Sequence, residues 1–362
     1  MWGGARGGGN PDIRGLGFPP TLSLPHKGGG NAAALTRSTI VEMIARILVW
    51  AALLAGAAAT AAGMLAPLHP PADFLNHFRP YILAAGCIPL VAALALRMRR
   101  TAWTAAALVG LNAALLLLPL RWLAEPSERP AAGQALASVH ARELKLVTFN
   151  MAYGDAKAVA AFLLREDPDI AVLQEVGARQ LLALRALLRD RYPYNHACLA
   201  PGCAAAIFAK HPWAAAGQDY STRDVPETVW VQFDDPDIGR VRVVGVHLAL
   251  PYRAETQTRH VERLIALRAS IAGPAIVAGD FNMTPWSYRL QRLLAAAGLR
   301  RHATFLRSWP THLYPQLKLP APAFLIDHVL STPDIGSVSI RTGPVVGSDH
   351  LPIVAQVRLP PR

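Results

Sequence analysis

The sequence predicts two joined parts: an all-α membrane anchor of three spans, then one α/β domain. Three observations lead there. The 362-residue chain has a mean hydropathy of +0.25 and only 17% charged residues, a balance that suits a membrane part fused to a soluble part. Three long apolar runs fall within the region 39–121. From Leu144 onward, short apolar stretches alternate with stretches of helical period, and the strand-like ones end on polar residues.

Residues 1–38 are rich in Gly and Pro, carry GGG twice and show no apolar period, so they are expected to be disordered. Met43 is an alternative start, because MIARILVWAALL opens directly into an apolar run. The three runs cover about Ile47 to Leu65, Tyr81 to Leu96 and Ala102 to Leu120. A helical span takes roughly 20 apolar residues. The first and third fit, and the second is short unless Phe78 to Pro80 join it. The first also resembles a signal peptide, with Arg46 ahead of a small-residue core, but two further spans favour a retained anchor. Buried helices of a soluble domain would not run this far almost without charge.

Basic residues set the orientation. The RMRR loop, Arg97 to Arg100, separates spans two and three and is expected in the cytoplasm, whereas Ala66 to Pro80 carries no such cluster. Three spans then place the N-terminus inside and everything after Leu120 outside. In a bacterium this means an inner-membrane protein with a periplasmic domain. The formal net charge of +12 is spread over both halves, so it does not mark a dedicated nucleic-acid surface. The chain has three cysteines, too few for a disulfide scaffold. Cys87 lies in the second span. Cys198 and Cys203, in ACLAPGCAA, are either unrelated thiols or a disulfide closed across a Pro-Gly turn, and an outside domain favours the disulfide. A lone C-x4-C pair does not complete a zinc site.

Residues 122–143 read as a linker, with EPSERPAAGQ at its centre, and residues 144–362 as one domain large enough for a substantial core. In that domain LKLVTFN is a strand ending at Asn150, and DIAVLQEV one ending at Glu175. KAVAAFLLRE and Ala178 to Leu188 are helices. AAIFAK, VWVQF and VRVVGVHL are strands, the last ending at His247, and Ala254 to Ile271 is a helix. The stretch Ala275 to Ser287, AIVAGDFNMTPWS, reads as a buried strand that breaks at Gly279. Asp280 and Asn282 leave it on one side because the strand period is two. Thr284 and Pro285 look like an N-cap and first helical position. FLIDHVLS and LPIVAQV are the last strands. Asn150, Glu175, His247, Asp280, Asn282, Asp327 and His350 would then meet at one edge of the sheets.

Each of these residues alone has a plain structural use: a turn cap, a surface ion pair, a satisfied core histidine. Their order is more specific. TFN at Asn150, LQEV at Glu175, GVHL at His247, GDFN at Asp280 to Asn282, IDHV at Asp327 and GSDHLP at Ser348 to Pro352 resemble, in order, the motifs of the endonuclease/exonuclease/phosphatase superfamily. These are metal-dependent phosphoesterases that include pancreatic deoxyribonuclease, exonuclease III, neutral sphingomyelinase and inositol-polyphosphate 5-phosphatases. The resemblance covers Leu144 to Leu359 and none of the apolar runs. It implies a four-layer α/β sandwich, two mixed sheets flanked by helices.

The resemblance also implies roles. Glu175 would be the main Mg²⁺ ligand, with Mn²⁺ as a substitute. Asn150 would lie beside it, and Asp349 would be the further carboxylate near the metal. A hard cation that keeps several waters needs only one or two carboxylates. His350 would meet the scissile phosphate, oriented by Asp327. Asp280 would position or deprotonate the attacking water, and Asn282 would steady the phosphoryl oxygens. His247 would be a general acid toward the leaving oxygen. A serine hydrolase is disfavoured because G-x-S-x-G is absent, and a zinc hydrolase because H-E-x-x-H is absent.

The expected activity is phosphodiester hydrolysis of the endonuclease/exonuclease type. The alternatives are a phospholipid or phosphomonoester hydrolase and a non-catalytic binding module. Arg253, Arg259, Trp286, Arg289 and Arg292 are the candidates for gripping nucleic acid. The apolar loop Leu313 to Phe324 is the candidate lip for lipid. The expected partners are that phosphoester substrate and the lipid bilayer.

Overall fold

The computed structural model describes residues 29–123, 142–152, 154–303, 305–313 and 317–361, with side chains from Thr39 onward except that of Leu313. Residues 1–28 of the expected disordered segment and 124–141 of the expected linker lie outside the described residues, as do 314–316 of the apolar loop. The chain divides after Leu48 into two units. The described part of the first is the beginning of helix α1 (Gly29–Met64), where Glu42 and Arg46 pair at 2.6 Å one turn apart. Residues 29–38 are therefore helical, which corrects the disorder expected for them. Ala32 to Leu35 are strong helix formers, and no Pro interrupts the chain between Pro25 and Pro67.

The second unit starts with the rest of α1. A 3₁₀ turn (Pro70–Phe78), α2 (Arg79–Ala95), α3 (Arg99–Leu117) and a second 3₁₀ turn (Leu118–Trp122) follow. Three stretches, Thr39–Met64, Pro70–Ala95 and Arg99–Trp122, are long and apolar enough to cross a membrane. The second reaches that length because the Pro70–Phe78 turn runs straight into α2. Ile88, Val91, Leu94 and Trp103 stand exposed on these helices, as lipid-facing residues would. Between the helices, Arg79 donates to Asn112 Oδ1 at 3.1 Å and also to Asn76, and Asn112 donates to Thr60 at 3.0 Å. Polar groups between apolar helices are tolerated when they satisfy one another.

The α/β domain begins with β1 (Arg142–Asn150), α4 (Ala156–Glu166), β2 (Ile170–Gln174) and α5 (Ala178–Leu188). Next come β3 (Tyr194–Ala200), β4 (Cys203–Ala209), β5 (Ala215–Asp219), β6 (Glu227–Asp235) and β7 (Gly239–His247). Then follow α6 (Ala254–Ala269), β8 (Ala275–Asp280), α7 (Tyr288–Ala297) and β9 (Arg300–Arg301). The short β10 (His312–Leu313) and β11 (Leu317–Lys318) precede β12 (Asp327–Ser331), β13 (Gly336–Thr342) and β14 (Ile353–Leu359). One six-stranded sheet has the order β13-β14-β1-β2-β4-β3 and the other β5-β6-β7-β8-β12-β9. Only β1–β2 and β7–β8 are parallel among the described pairs, so both sheets are mixed.

The period-two rule assigns the faces. Leu144, Leu146, Ile170, Val172 and Ile207 of one sheet meet Val229, Val231, Val243 and Ile276 of the other in a core between the sheets. The alternate residues face outward. Val147, Phe149 and Leu173 pack under α4 and α5 against Phe162, Leu163, Leu181 and Leu184. Val244 and Val277 pack under α6 and α7 against Leu264, Leu290 and Leu293. The result is a four-layer sandwich. Gly245 keeps the sheets close, since a Cβ there would sit 2.5 Å from Val172 Cγ1. β3, β5 and β13 are strands the sequence pattern did not announce: YNHACLA, AAGQD and GSVSIRT are partly exposed and weakly alternating. Cys198 and Cys203 are joined by a disulfide across the β3–β4 hairpin, with their Cα atoms 5.5 Å apart.

The domain sits directly on the ends of the apolar helices. Asp73, buried in the 3₁₀ turn, accepts hydrogen bonds from Ser287 Oγ (2.7 Å), Tyr288 N (2.7 Å) and Arg289 Nε (3.1 Å). Trp286 Nε1 donates to Leu116 O at 3.0 Å, and Tyr81 Oη to Ala323 O at 2.7 Å. The cap of α7 is consequently Ser287, which accepts from Leu290 N, and not Thr284 as expected. Thr284 to Trp286 instead form a turn whose Thr284 N–H reaches His77 Nδ1 at 3.3 Å.

Candidate active site

The inward parity of the core strands, carried one step past the apolar residues, delivers the site. In β1 the inward positions Leu144, Leu146 and Thr148 lead to Asn150. In β7 Val243 and Gly245 lead to His247, and in β8 Ile276 and Ala278 lead to Asp280. Register holds these ends together: His247 lies opposite Asp280, and Asp280 opposite Asp327. Gly279 makes the final turn of β8 feasible. Its φ is +151°, and a Cβ would lie 2.0 Å from Val246 O. Glu175 has outward parity, since Ala171 and Leu173 face the helices, but its left-handed backbone (φ +53°) turns it back toward the cavity.

Glu175, His247, Asp280, Asn282, Asp349 and His350 line one open cavity of about 780 Å³, with Asn150 and Asp327 buried beside them. Asp280 Oδ2 is the atom on which the site's polar groups converge. It accepts from Asn150 Nδ2 at 3.2 Å and lies 3.8 Å from His350 Nε2 and 3.9 Å from His247 Nε2. Asn150 Nδ2 also donates to Glu175 Oε1 at 3.0 Å. Asp327 Oδ2 holds His350 Nδ1 at 2.9 Å. The backbone before His350 is pinned by Ser348, whose Oγ donates to Asn150 O (2.8 Å) and accepts from His350 N (3.0 Å). Asp349 lines the same cavity, with Oδ2 accepting from Trp309 Nε1 at 2.8 Å. Asn282, also in the left-handed region, spends its side-chain N–H on Leu248 O at 2.9 Å.

Burial separates the titrations. It pushes Asp280 up to about 6, helped by the like charge of Asp327 and opposed by the two histidines. For His350 burial works against the charged ring. Asp327 outweighs it by charge and hydrogen bond, with Asp280 and Asp349 behind, and pushes the imidazole up to about 10. His350 is therefore an imidazolium at neutral pH.

Two further side chains belong to the site. Glu227 opens β6 directly opposite His247. It is buried, accepts from Ala204 N at 3.1 Å and lies 3.9 Å from His247 Nδ1. Burial raises its carboxyl above the usual range. Its signal was in the sequence: Val229, Val231 and Phe233 fix the inward parity of VWVQF, and Glu227 is the next position back. His260 of α6 braces the loop after β7, with Nδ1 accepting from Ala249 N (3.3 Å) and Nε2 meeting Thr222 O (2.9 Å). Burial holds it below the usual imidazole range, which suits that neutral tautomer.

The residues fit a hard divalent cation on one side of the cavity. Potential ligand atoms of Asp280, Asp327 and His350 lie within 4.8 Å of one another. Within that trio Asp327 Oδ2 and His350 Nδ1 are already engaged with each other at 2.9 Å. Glu175, partly exposed to the cavity beside the Asn150 carboxamide, is the sparse oxygen set that a cation keeping most of its waters takes.

A family model described as the Endonuclease/Exonuclease/phosphatase family matches residues 147–350. Among solved structures, an endonuclease/exonuclease/phosphatase from Bacteroides vulgatus is 19% identical with a TM-score of 0.51, covering 60% of this chain and 99% of its own. That likeness shows the fold. An endonuclease/exonuclease/phosphatase from Beutenbergia cavernae is 22% identical with a TM-score of 0.49, covering 60% of this chain and 72% of its own. Sphingomyelinase C from Streptomyces griseocarneus is 19% identical with a TM-score of 0.46, covering 59% of this chain and 98% of its own. No curated protein matches the chain.

Proposed function

This chain belongs to the endonuclease/exonuclease/phosphatase family, and we propose that it is a divalent-metal-dependent phosphodiesterase held in a membrane by three spans. One observation carries the reading: a single oxygen, Asp280 Oδ2, lies between the Asn150–Glu175 pair and both site histidines. Glu175 and Asn150 would hold Mg²⁺ or Mn²⁺, which supplies positive charge to a phosphoryl oxygen when bound. Asp280, with its acidity moved near neutrality, takes the proton of the attacking water. His350, fixed as imidazolium by Asp327, stabilises the charge that develops on the phosphoryl group. His247, backed by Glu227, delivers a proton to the leaving oxygen. Asp349, tied to Trp309, adds negative charge beside this group, and Asn282 holds the loop that follows Asp280.

Nucleic acid fits the rim less well than the sequence suggests. Arg289 is buried in its ion pair with Asp73, and Trp286 is buried against Leu116. Arg259 pairs with Asp224 at 2.7 Å and Arg292 with Glu262 at 2.7 Å. Of the five candidates only Arg253 lines the cavity. A phospholipid is the reading this favours over a nuclease. The domain packs on Asp73, Tyr81 and Leu116, away from the α2–α3 loop, so the three-span reading, with RMRR in the cytoplasm, would put it on the opposite side.

The test is hydrolysis of bis(p-nitrophenyl) phosphate, p-nitrophenyl phosphate and plasmid DNA by the purified full chain, with and without Mg²⁺. Metal-dependent cleavage of the diester is expected. Cleavage of the monoester alone would overturn the diesterase reading, and DNA nicking at comparable rates would restore the nuclease. Inertness toward all three would leave a binding module.

A further inference from the structure

A second pocket, of about 310 Å³, opens beside the catalytic cavity and is almost wholly apolar. Phe74 and Phe78, at the start of the second span, form one wall, and Leu250, Trp309, Phe324 and Ile326 of the α/β domain form the other. Leu250, Asn282, Trp309 and Ile326 line both pockets, so the two adjoin across these side chains. Aromatic contacts trace the path from span to site. Phe78 meets Phe324 edge-on at 5.4 Å, Phe324 lies 5.9 Å from Trp309, and Trp309 lies 6.2 Å from His350.

We infer that this pocket is a subsite for one acyl chain of a membrane phospholipid, whose phosphodiester is cut in the adjoining cavity. The inference rests on the phosphodiesterase reading above. Three features select this occupant. The pocket lies at the end of a membrane-spanning helix, where acyl chains are the surrounding solvent. It adjoins a polar cavity, and an amphiphile is the molecule that fills an apolar and a polar space side by side. A peptide would bring backbone amides that this wall leaves without partners, whereas an acyl chain has none to satisfy. In the reaction the water oxygen bonds to phosphorus and the P–O bond to the leaving alcohol breaks. That alkoxide takes a proton, giving an alcohol and a phosphomonoester.

The experiment uses the full chain in amphipol with p-nitrophenyl alkyl phosphates, methyl through decyl. kcat/KM is expected to rise about fourfold per methylene until the pocket is full. Leu250→Trp, which fills the pocket, and Phe78→Asp, which charges it, should each lower the decyl-to-methyl ratio about tenfold or more. The ratio cancels any general loss of catalysis or of folded protein. A flat series with the methyl ester still hydrolysed would overturn the subsite and leave the phosphodiesterase intact. If no ester is hydrolysed, the phosphodiesterase reading fails, and a phosphatidylglycerol with a diazirine in its acyl chain decides the subsite. Labelling of Phe74, Phe78 or Phe324 supports it, and labelling confined to outer residues such as Ile88 and Val91 overturns it.

Discussion

Asp73 and Arg289 form a buried ion pair, 3.1 Å between Oδ2 and Nε, that ties the second apolar span to the second residue of α7. The same carboxylate accepts from Ser287 Oγ and Tyr288 N, so a residue of the span caps a helix of the α/β domain. Removing one partner strands the other. Asp73→Ala should destabilise the chain by about 3–5 kcal/mol, a drop in Tm of roughly 10 °C. Replacing both residues, Asp73→Leu with Arg289→Met, should recover much of that loss. Thermal unfolding of the full chain in amphipol measures both, and an unchanged Tm for Asp73→Ala would show that the pair holds nothing.

Metal binding should depend on Glu175. Mg²⁺ is expected to raise the Tm of the parent chain, because a ligand bound only by the folded state stabilises it. Glu175→Gln should lose that rise together with metal-dependent hydrolysis, while folding normally without metal. A Glu175→Gln chain that still gains stability from Mg²⁺ would place the cation elsewhere.

Two pH dependences follow from the buried charges. Asp280, pushed up to about 6, is protonated and unable to accept a proton below that value. kcat/KM should therefore climb as pH rises through about 6. His350 has the opposite sign. Its folded value of about 10 lies above the unfolded value of 6.5, so the ion pair with Asp327 stabilises fully below pH 6.5 and fades as pH rises through 10. The stability gap between the parent and Asp327→Asn should be wide near neutral pH, where both partners are charged, and close toward alkaline pH. A gap that widened with pH would reverse the charge assignment.

Glu227 and His247 should act as a unit. Glu227→Gln and His247→Ala are each expected to lower kcat about 10²-fold, and the double variant barely further. Additive losses would separate the two residues.

Reduction should loosen the β3–β4 hairpin without dismantling the sandwich. A bridge of five residues' separation closes a short loop, so its loss should cost about 2 kcal/mol. A thiol-labelling assay on intact cells gives the compartment as well. Cys198 and Cys203 protected until reduction indicate the oxidising periplasm, and free reactive thiols would contradict the orientation.

The legible parts of the sequence were those governed by period. Alternation in LKLVTFN and VRVVGVHL placed Asn150 and His247 at inward strand ends, where they stand. Glu175 was found by its motif although its parity points outward, because a left-handed residue cannot be read from alternation. Glu227 escaped because its strand was read as starting later, at the apolar residues. The cap of α7 escaped for a different reason. Thr284-Pro285 has the local chemistry of a helix start, but Asp73, 214 residues from Ser287 along the chain, moves the start to Tyr288. No local pattern carries a contact that distant. The engagement of Trp286 and Arg289 by the spans was hidden for the same cause.

The contacts of Tyr81 with Ala323 and of Trp286 with Leu116 bear on residues 124–141. A catalytic head on a leash samples a volume set by the leash, and its reach changes with every residue added. On the proposed membrane reading the head is mortised into its base, so the height of the site above the bilayer would be set by side-chain joinery and not by the length of 124–141. Extending 124–141 with Gly-Ser repeats should leave turnover on membrane-borne substrate untouched, whereas loosening the Asp73 joint should convert a fixed station into a free-swinging one.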